Sequence, residues 1–118
     1  MNILEKVRAV LLASGAQDPF LGYFPPDPDT CAAIFEYGSV PPEHSFGGTD
    51  IVYGVQARCR SPGAQIAFSM ASKIEHALNR YHDDEISIVS ATPIANIGRD
   101  KANPPRQEYT VNFQVRRY

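Results

Sequence analysis

Glu108-Tyr109-Thr110-Val111-Asn112-Phe113-Gln114-Val115-Arg116 alternates without a break. Tyr109, Val111, Phe113 and Val115 fall on one side of an extended chain, and Glu108, Thr110, Asn112, Gln114 and Arg116 on the other. Such a period of two predicts a strand with one covered face and one open face, the signature of an antiparallel sheet. Ile51 to Arg60 repeats the pattern. Ile51, Tyr53, Val55, Ala57 and Cys59 oppose Gln56, Arg58 and Arg60. Cys31–Tyr37 and Ile86–Ala91 supply two shorter strands. Two stretches instead follow the helical step. In the first, Ile3, Leu4, Val7, Val10 and Leu11 form one stripe, with Asn2 as its cap and Gly15 placed to end it. In the second, Ala67, Met70, Ala71, Ile74, Ala77, Leu78 and Tyr81 form another, with Ser61-Pro62 as a helix start. The expectation is an α+β fold in the order α-β-β-α-β-β, a two-layer sandwich. Its antiparallel, mainly four-stranded sheet is covered by two helices in one domain over residues 1–118. The order is also a circular permutation of the split βαβ arrangement.

Three stretches resist any period: 16–30 with Pro19, Pro25, Pro26 and Pro28, 38–50 with Pro41, Pro42, Gly47 and Gly48, and 93–107 with Pro104 and Pro105. Loops beyond about 12–15 residues are uncommon in compact domains and are usually functional or disordered. These carry Phe20, Tyr23, Phe24, Phe46 and Ile97, which a merely solvated loop does not need. Stiff loops with apolar side chains either meet a partner or fold back onto their own core.

Composition narrows the function classes. The 118 residues are 43% hydrophobic and 20% charged, with net charge -2, so no general basic excess advertises nucleic acid or an anionic membrane. No apolar run approaches the roughly 18 residues of a membrane span, and the opening Met1-Asn2-Ile3-Leu4-Glu5-Lys6 turns charged too soon for a signal peptide. Cys31 and Cys59 lack zinc-ligand spacing and are expected as buried thiols, with a disulfide open to them if their strands pair. His44, His76 and His82 belong to no nucleophile motif. His82-Asp83-Asp84-Glu85 reads as a polar turn, because neighbours in sequence diverge in direction. Asp27 and Asp29 lack the spacing of a calcium loop. Gly47-Gly48 precedes a strand and not a helix, so it is a turn and no phosphate cradle. No catalytic residue, cofactor or metal is expected. Arg58, Arg60 and Arg116 would share the polar sheet face if their strands are neighbours, and Glu108 on the same side invites ion pairs between subunits.

Several of these stretches together resemble the phage minor capsid and tail-terminator proteins of the head–tail junction of long-tailed phages and prophages. The matching pieces are Leu21-Gly22-Tyr23-Phe24-Pro25 with Pro28-Asp29, then Ile34-Phe35-Glu36-Tyr37-Gly38, Pro41-Pro42 and Phe46-Gly47-Gly48. Val55-Gln56-Ala57-Arg58-Cys59-Arg60, the helix from Ala67 to Leu78, Pro93, Gly98-Arg99-Asp100 and the closing Tyr109–Val115 follow in order. Lys101–Arg106 departs from the pattern, where a compact turn is expected. The resemblance implies a structural protein without catalysis or cofactor. It implies a six-fold ring of this chain on the last ring of the tail tube protein, which stops polymerisation and docks the head–tail connector and adaptor proteins. Genomic DNA would pass through the lumen without specific binding. No membrane is implied, and the protein would reside in the virion neck, after assembly in the host cytoplasm. Tyr23, Phe24, Phe46, Gly47, Gly48, Arg58, Arg60, Gly98, Arg99, Asp100 and Arg116 are the implied subunit or partner contacts, with the arginines at interfaces or facing the lumen. Alternatives are a head-completion or connector-adaptor protein, a small enzyme subunit whose site forms between chains, or a basic-patch nucleic-acid binder.

Overall fold

Asn2 caps the first helix as its position predicts: its Oδ1 accepts the Glu5 amide at 2.8 Å. The computed structural model describes residues 2–40 and 51–118. Helix α1 runs Ile3–Ala13 and buries Ile3, Val7, Val10 and Leu11. It stops where Gly15 takes φ +80°, a conformation that residues with a Cβ rarely adopt. The chain then forms β1 (Phe20–Leu21), β2 (Cys31–Val40), β3 (Ile51–Ser61), α2 (Ala64–Leu78), β4 (Ile86–Ser90), β5 (Ala95–Arg99) and β6 (Gln107–Arg117).

The α+β class holds, but the sheet corrects the sequence-based expectation. It has six strands and not four, it is mixed and not purely antiparallel, and its order is β1-β2-β3-β6-β4 with β5 also on β6. The two added strands lie in stretches 16–30 and 93–107, where no periodicity announces them. β1 pairs parallel to β2 through Phe20 opposite Ala33 and Leu21 opposite Ile34. β6 is the hub. β3 lies antiparallel along one of its edges from Gln107 to Arg117, while β5 and β4 share the other edge in turn.

Register assigns the faces. Val55, Ala57, Cys59, Val111, Phe113, Val115, Ile86, Ile88, Ala32 and Ile34 meet α1 and α2 in one buried cluster. Helix α2 contributes Met70, Ala71, Ile74 and Leu78. Each large aliphatic buried here contributes about 1.5–3 kcal/mol relative to exposure. The second helix begins later than the expected Ser61-Pro62 start and ends sooner than its stripe suggests. Ser61 still pairs with Gln107 in the sheet, and its Oγ accepts the Gly63 amide at 3.1 Å ahead of the helix. Tyr81 reaches the core from the loop beyond Leu78.

That loop has a second task. The Arg80 amide donates to the Ile88 carbonyl, the Ile88 amide to Tyr81, and the Asp83 amide to Ile86, at 2.8–2.9 Å. Asn79 Oδ1 accepts the Ser90 amide at 2.9 Å. The free edge of β4 is therefore occupied by its own connection. The polar turn expected at residues 82–85 is real: Asp83 accepts the amides of Glu85 and Ile86 and pairs with Lys6 of α1 at 2.9 Å. The two cysteines sit on paired strands, yet Cys31 is opposite Arg60 and Ala32 opposite Cys59. Their side chains leave on opposite faces, and both thiols are free and buried.

Candidate partner-contact surfaces

The sheet face away from the helices is not the open surface that alternation suggests. Its part around Phe35, Arg58 and Arg60 is covered by the proline-rich segment after β1, a strap over residues 22–30. Phe24 meets Phe35 of β2 edge-on, ring centroids 6.5 Å apart. The Arg60 guanidinium stacks 4.3 Å from the Phe24 centroid, donates to the Pro28 carbonyl at 2.7 Å and touches Cys31 Sγ at 3.2 Å. Only 4% of Arg60 remains exposed. Arg58 lies 5.5 Å from the Phe24 ring and 5.6 Å from Phe35, and binds Glu108 at 2.6 Å. Planar cations over aromatic faces keep their charge at low hydration cost, which suits arginine and not lysine. Burial pushes the Cys31 thiol up against the favourable influence of Arg60, and pushes Cys59 up to about 12.

Arg106 ties the first irregular stretch to the third. Its Nε donates to Asp100 at 2.6 Å, and Nη1 reaches the Pro26 carbonyl and Asp29. Asp100 also accepts the amides of Ala102 and Arg106, and these amide bonds lead in holding its carboxyl below the usual range. The strap and the β5–β6 connection thus form one braced layer.

Toward the other end of this face, Tyr37, Val89, Gln114 and Arg116 are exposed among the described residues. A bulge in β2 between Glu36 and Ser39 brings Tyr37 over Gly54, its ring atoms 2.6–2.9 Å from where a Cβ would stand. Next to it, Val52, Ser87, Val89, Gln114 and Arg116 line a shallow hollow of about 250 Å³. Tyr37 and Val89 are about half exposed.

The proposed contact residues distribute unevenly over this geometry. Arg58, Arg60 and Arg116 do share one face, as alternation predicts. Phe24 of the strap packs on Arg58 and Arg60 beneath it, so these three make contacts within the chain. Tyr23 is exposed beside Phe20, ring centroids 5.4 Å apart. Gly98, at φ +106°, and Arg99 lie on the exposed β5, and Asp100 faces Arg106. Arg116 stands at the open end, opposite Val52. Phe46, Gly47 and Gly48 lie outside the described residues. The sequence reading missed Arg106 as the brace and Tyr37 and Val89 as surface. The only sequence signal for the brace is Asp100 six positions before Arg106.

Among the described residues, no group of three or more His, Cys, Asp or Glu side chains is placed to hold a metal. No described helix is long and apolar enough to cross a membrane. The family model for bacteriophage tail terminator proteins matches residues 7–118, nearly the whole fold just described. The chain belongs to that family. No curated protein matches it. The tail terminators are a structural family and not an enzyme family, which makes this chain a structural component of the phage tail.

Proposed function

We propose that this tail terminator closes as a six-membered ring on the last ring of the tail tube in the virion neck. There it stops the tube protein from adding further and offers its opposite side to the head connector. The carrying observation is the family match over residues 7–118. The surface chemistry is compatible with that role. A ring made by head-to-tail contacts needs two different complementary patches on each subunit. Tyr23, Gly98, Arg99 and Arg116 are exposed candidates for such patches. Phe24, Arg58, Arg60 and Asp100 shape the braced layer beneath them, and Phe46, Gly47 and Gly48 complete the proposed contact set. Net charge -2 suits a channel through which DNA slides without being held. Assembly would take place in the host cytoplasm.

The test is the tail-length distribution by electron microscopy in lysates of the parent phage with this gene deleted. Overlong tails without heads are the expected result. Tails of normal length left unjoined would place the protein on the head side of the junction, and fully assembled virions would overturn both roles.

A further inference from the structure

A strand edge with unpaired amides and carbonyls is a template for another strand, and proteins usually blunt it. Here the edges are treated unequally. The edge of β4 is filled by residues 79–83, and the first half of β2 is covered by β1, with the Gly22 amide bonding the Ile34 carbonyl at 2.8 Å. Two edges remain. Because the Ile34 carbonyl points to the β1 side, Glu36 two residues on presents its backbone groups to the same side. Among the described residues no strand pairs there with 36–40, and none pairs with the outer edge of β5, all five of whose residues are exposed.

We propose that these two open edges pair with each other between neighbouring copies of this chain, the β5 edge of one copy against residues 36–40 of the next. Direction, length and charge agree. β2, β3, β6 and β5 run alternately up and down, so a neighbour shifted sideways without inversion brings β5 antiparallel to β2. Laying 95–99 antiparallel on 36–40 matches five residues to five and sets Arg99 opposite Glu36. Both side chains belong to the helix-bearing face, since Glu36 is opposite the buried Val55, and Arg99 is opposite Gln107, two positions from Tyr109. Both are exposed, and neither has an ion-pair partner among the described residues.

The two edges are not level. Through Val55, Glu36 is level with Phe113 on β6, whereas Arg99 is level with Gln107, six residues away. That offset is about 20 Å along the strands, against about 19 Å for four strand spacings across them. Closing without axial rise therefore inclines the strands by about 45°, the tilt that sheets adopt when they close. The contact is heterologous, of the kind that makes rings.

The proposal rests on the ring reading above, and the experiment separates the two. The purified chain is examined by native mass spectrometry, alone and with isolated tails, beside the variants Glu36→Arg, Arg99→Glu, their combination, and the cysteine pair Glu36→Cys with Arg99→Cys. The expected result is a closed oligomer of the wild-type chain. Each single reversal weakens assembly about tenfold or more and the double reversal restores it. After oxidation and denaturation the cysteine pair remains cross-linked up to the mass of the closed oligomer, while either cysteine alone gives monomers. A wild-type oligomer that neither cross-links through these cysteines nor responds to the reversals overturns the edge assignment and leaves the ring standing. A chain that stays monomeric both alone and on tails overturns the ring, and the edge pairing with it.

Discussion

Arg60 and Arg58 sit two positions apart on one face of β3, and their charges are used within the chain, on Pro28, Phe24 and Glu108. Arg60→Ala removes the stack and leaves the Pro28 carbonyl without its donor. We expect a loss of about 2–4 kcal/mol in denaturant unfolding, with Arg60→Lys intermediate because an ammonium has no planar face. Alternation placed these arginines on one face correctly. Their partners come from a segment without any period, and no pattern in the sequence links Phe24 or Pro28 to them. Asp83 makes a second prediction at this scale. Lys6 above all, then the Ile86 amide, the Tyr81 hydroxyl and the Glu85 amide, hold its carboxyl well below the usual range despite partial burial. A depressed carboxyl stabilises the fold above its unfolded value, near 3.9, and that contribution is lost as pH falls toward the folded value. Asp83→Asn should therefore unfold more easily at neutral pH and show a shallower loss below about pH 4, measured by thermal melts across pH. Asp18 and Asp100 are depressed too, so part of the acid limb will remain.

Among the elements, those with strong periodicity were legible and those that borrow their conformation were not. α1, β3 and β6 carry their faces in their own residues. β5 reads Ala-Asn-Ile-Gly-Arg with no alternation and is a strand because β6 offers it an edge, since strand propensity depends on context. β1 is two residues long and exists through β2. The start of α2 was misplaced because Ser61 was read as a cap, while the long register of β3 on β6 retains it in the sheet. The loop that seals β4 is an element-level device, and Asn79 is its outermost clasp. Asn79→Ala should cost about 1 kcal/mol and speed hydrogen exchange at the Ser90 amide. Unchanged exchange at Ser90 would mean that the backbone bonds of residues 80–83 seal the edge unaided.

At the scale of the molecule, one core cluster joins both helices to the sheet, and Phe113 is its largest fully buried side chain. Phe113→Ala should cost about 3–5 kcal/mol, read as a lower denaturation midpoint with little change in slope. The sequence showed this core well, because β3 and β6, which lie side by side under α2, both alternate. It did not show that the strap roofs part of the opposite face. A proline-rich segment has no period from which its destination can be read. It is the Arg106 bridge, from Asp100 to Pro26 and Asp29, that brings two of the irregular stretches together.

The position of β6 in the chain has a consequence for synthesis. β3, β4 and β5 all precede it, and among the described residues β4 and β5 pair with no other strand. Its pairs with β3 span 46 positions, between Ser61 and Gln107, to 66, between Ile51 and Arg117. Emerging from a ribosome, the chain can form α1, α2 and the contacts of β2 with β1 and β3, but β4 and β5 wait for the edge that β6 will offer them. Such long-range closure is slow, so the nascent protein spends its most adhesive interval before it has a complete sheet.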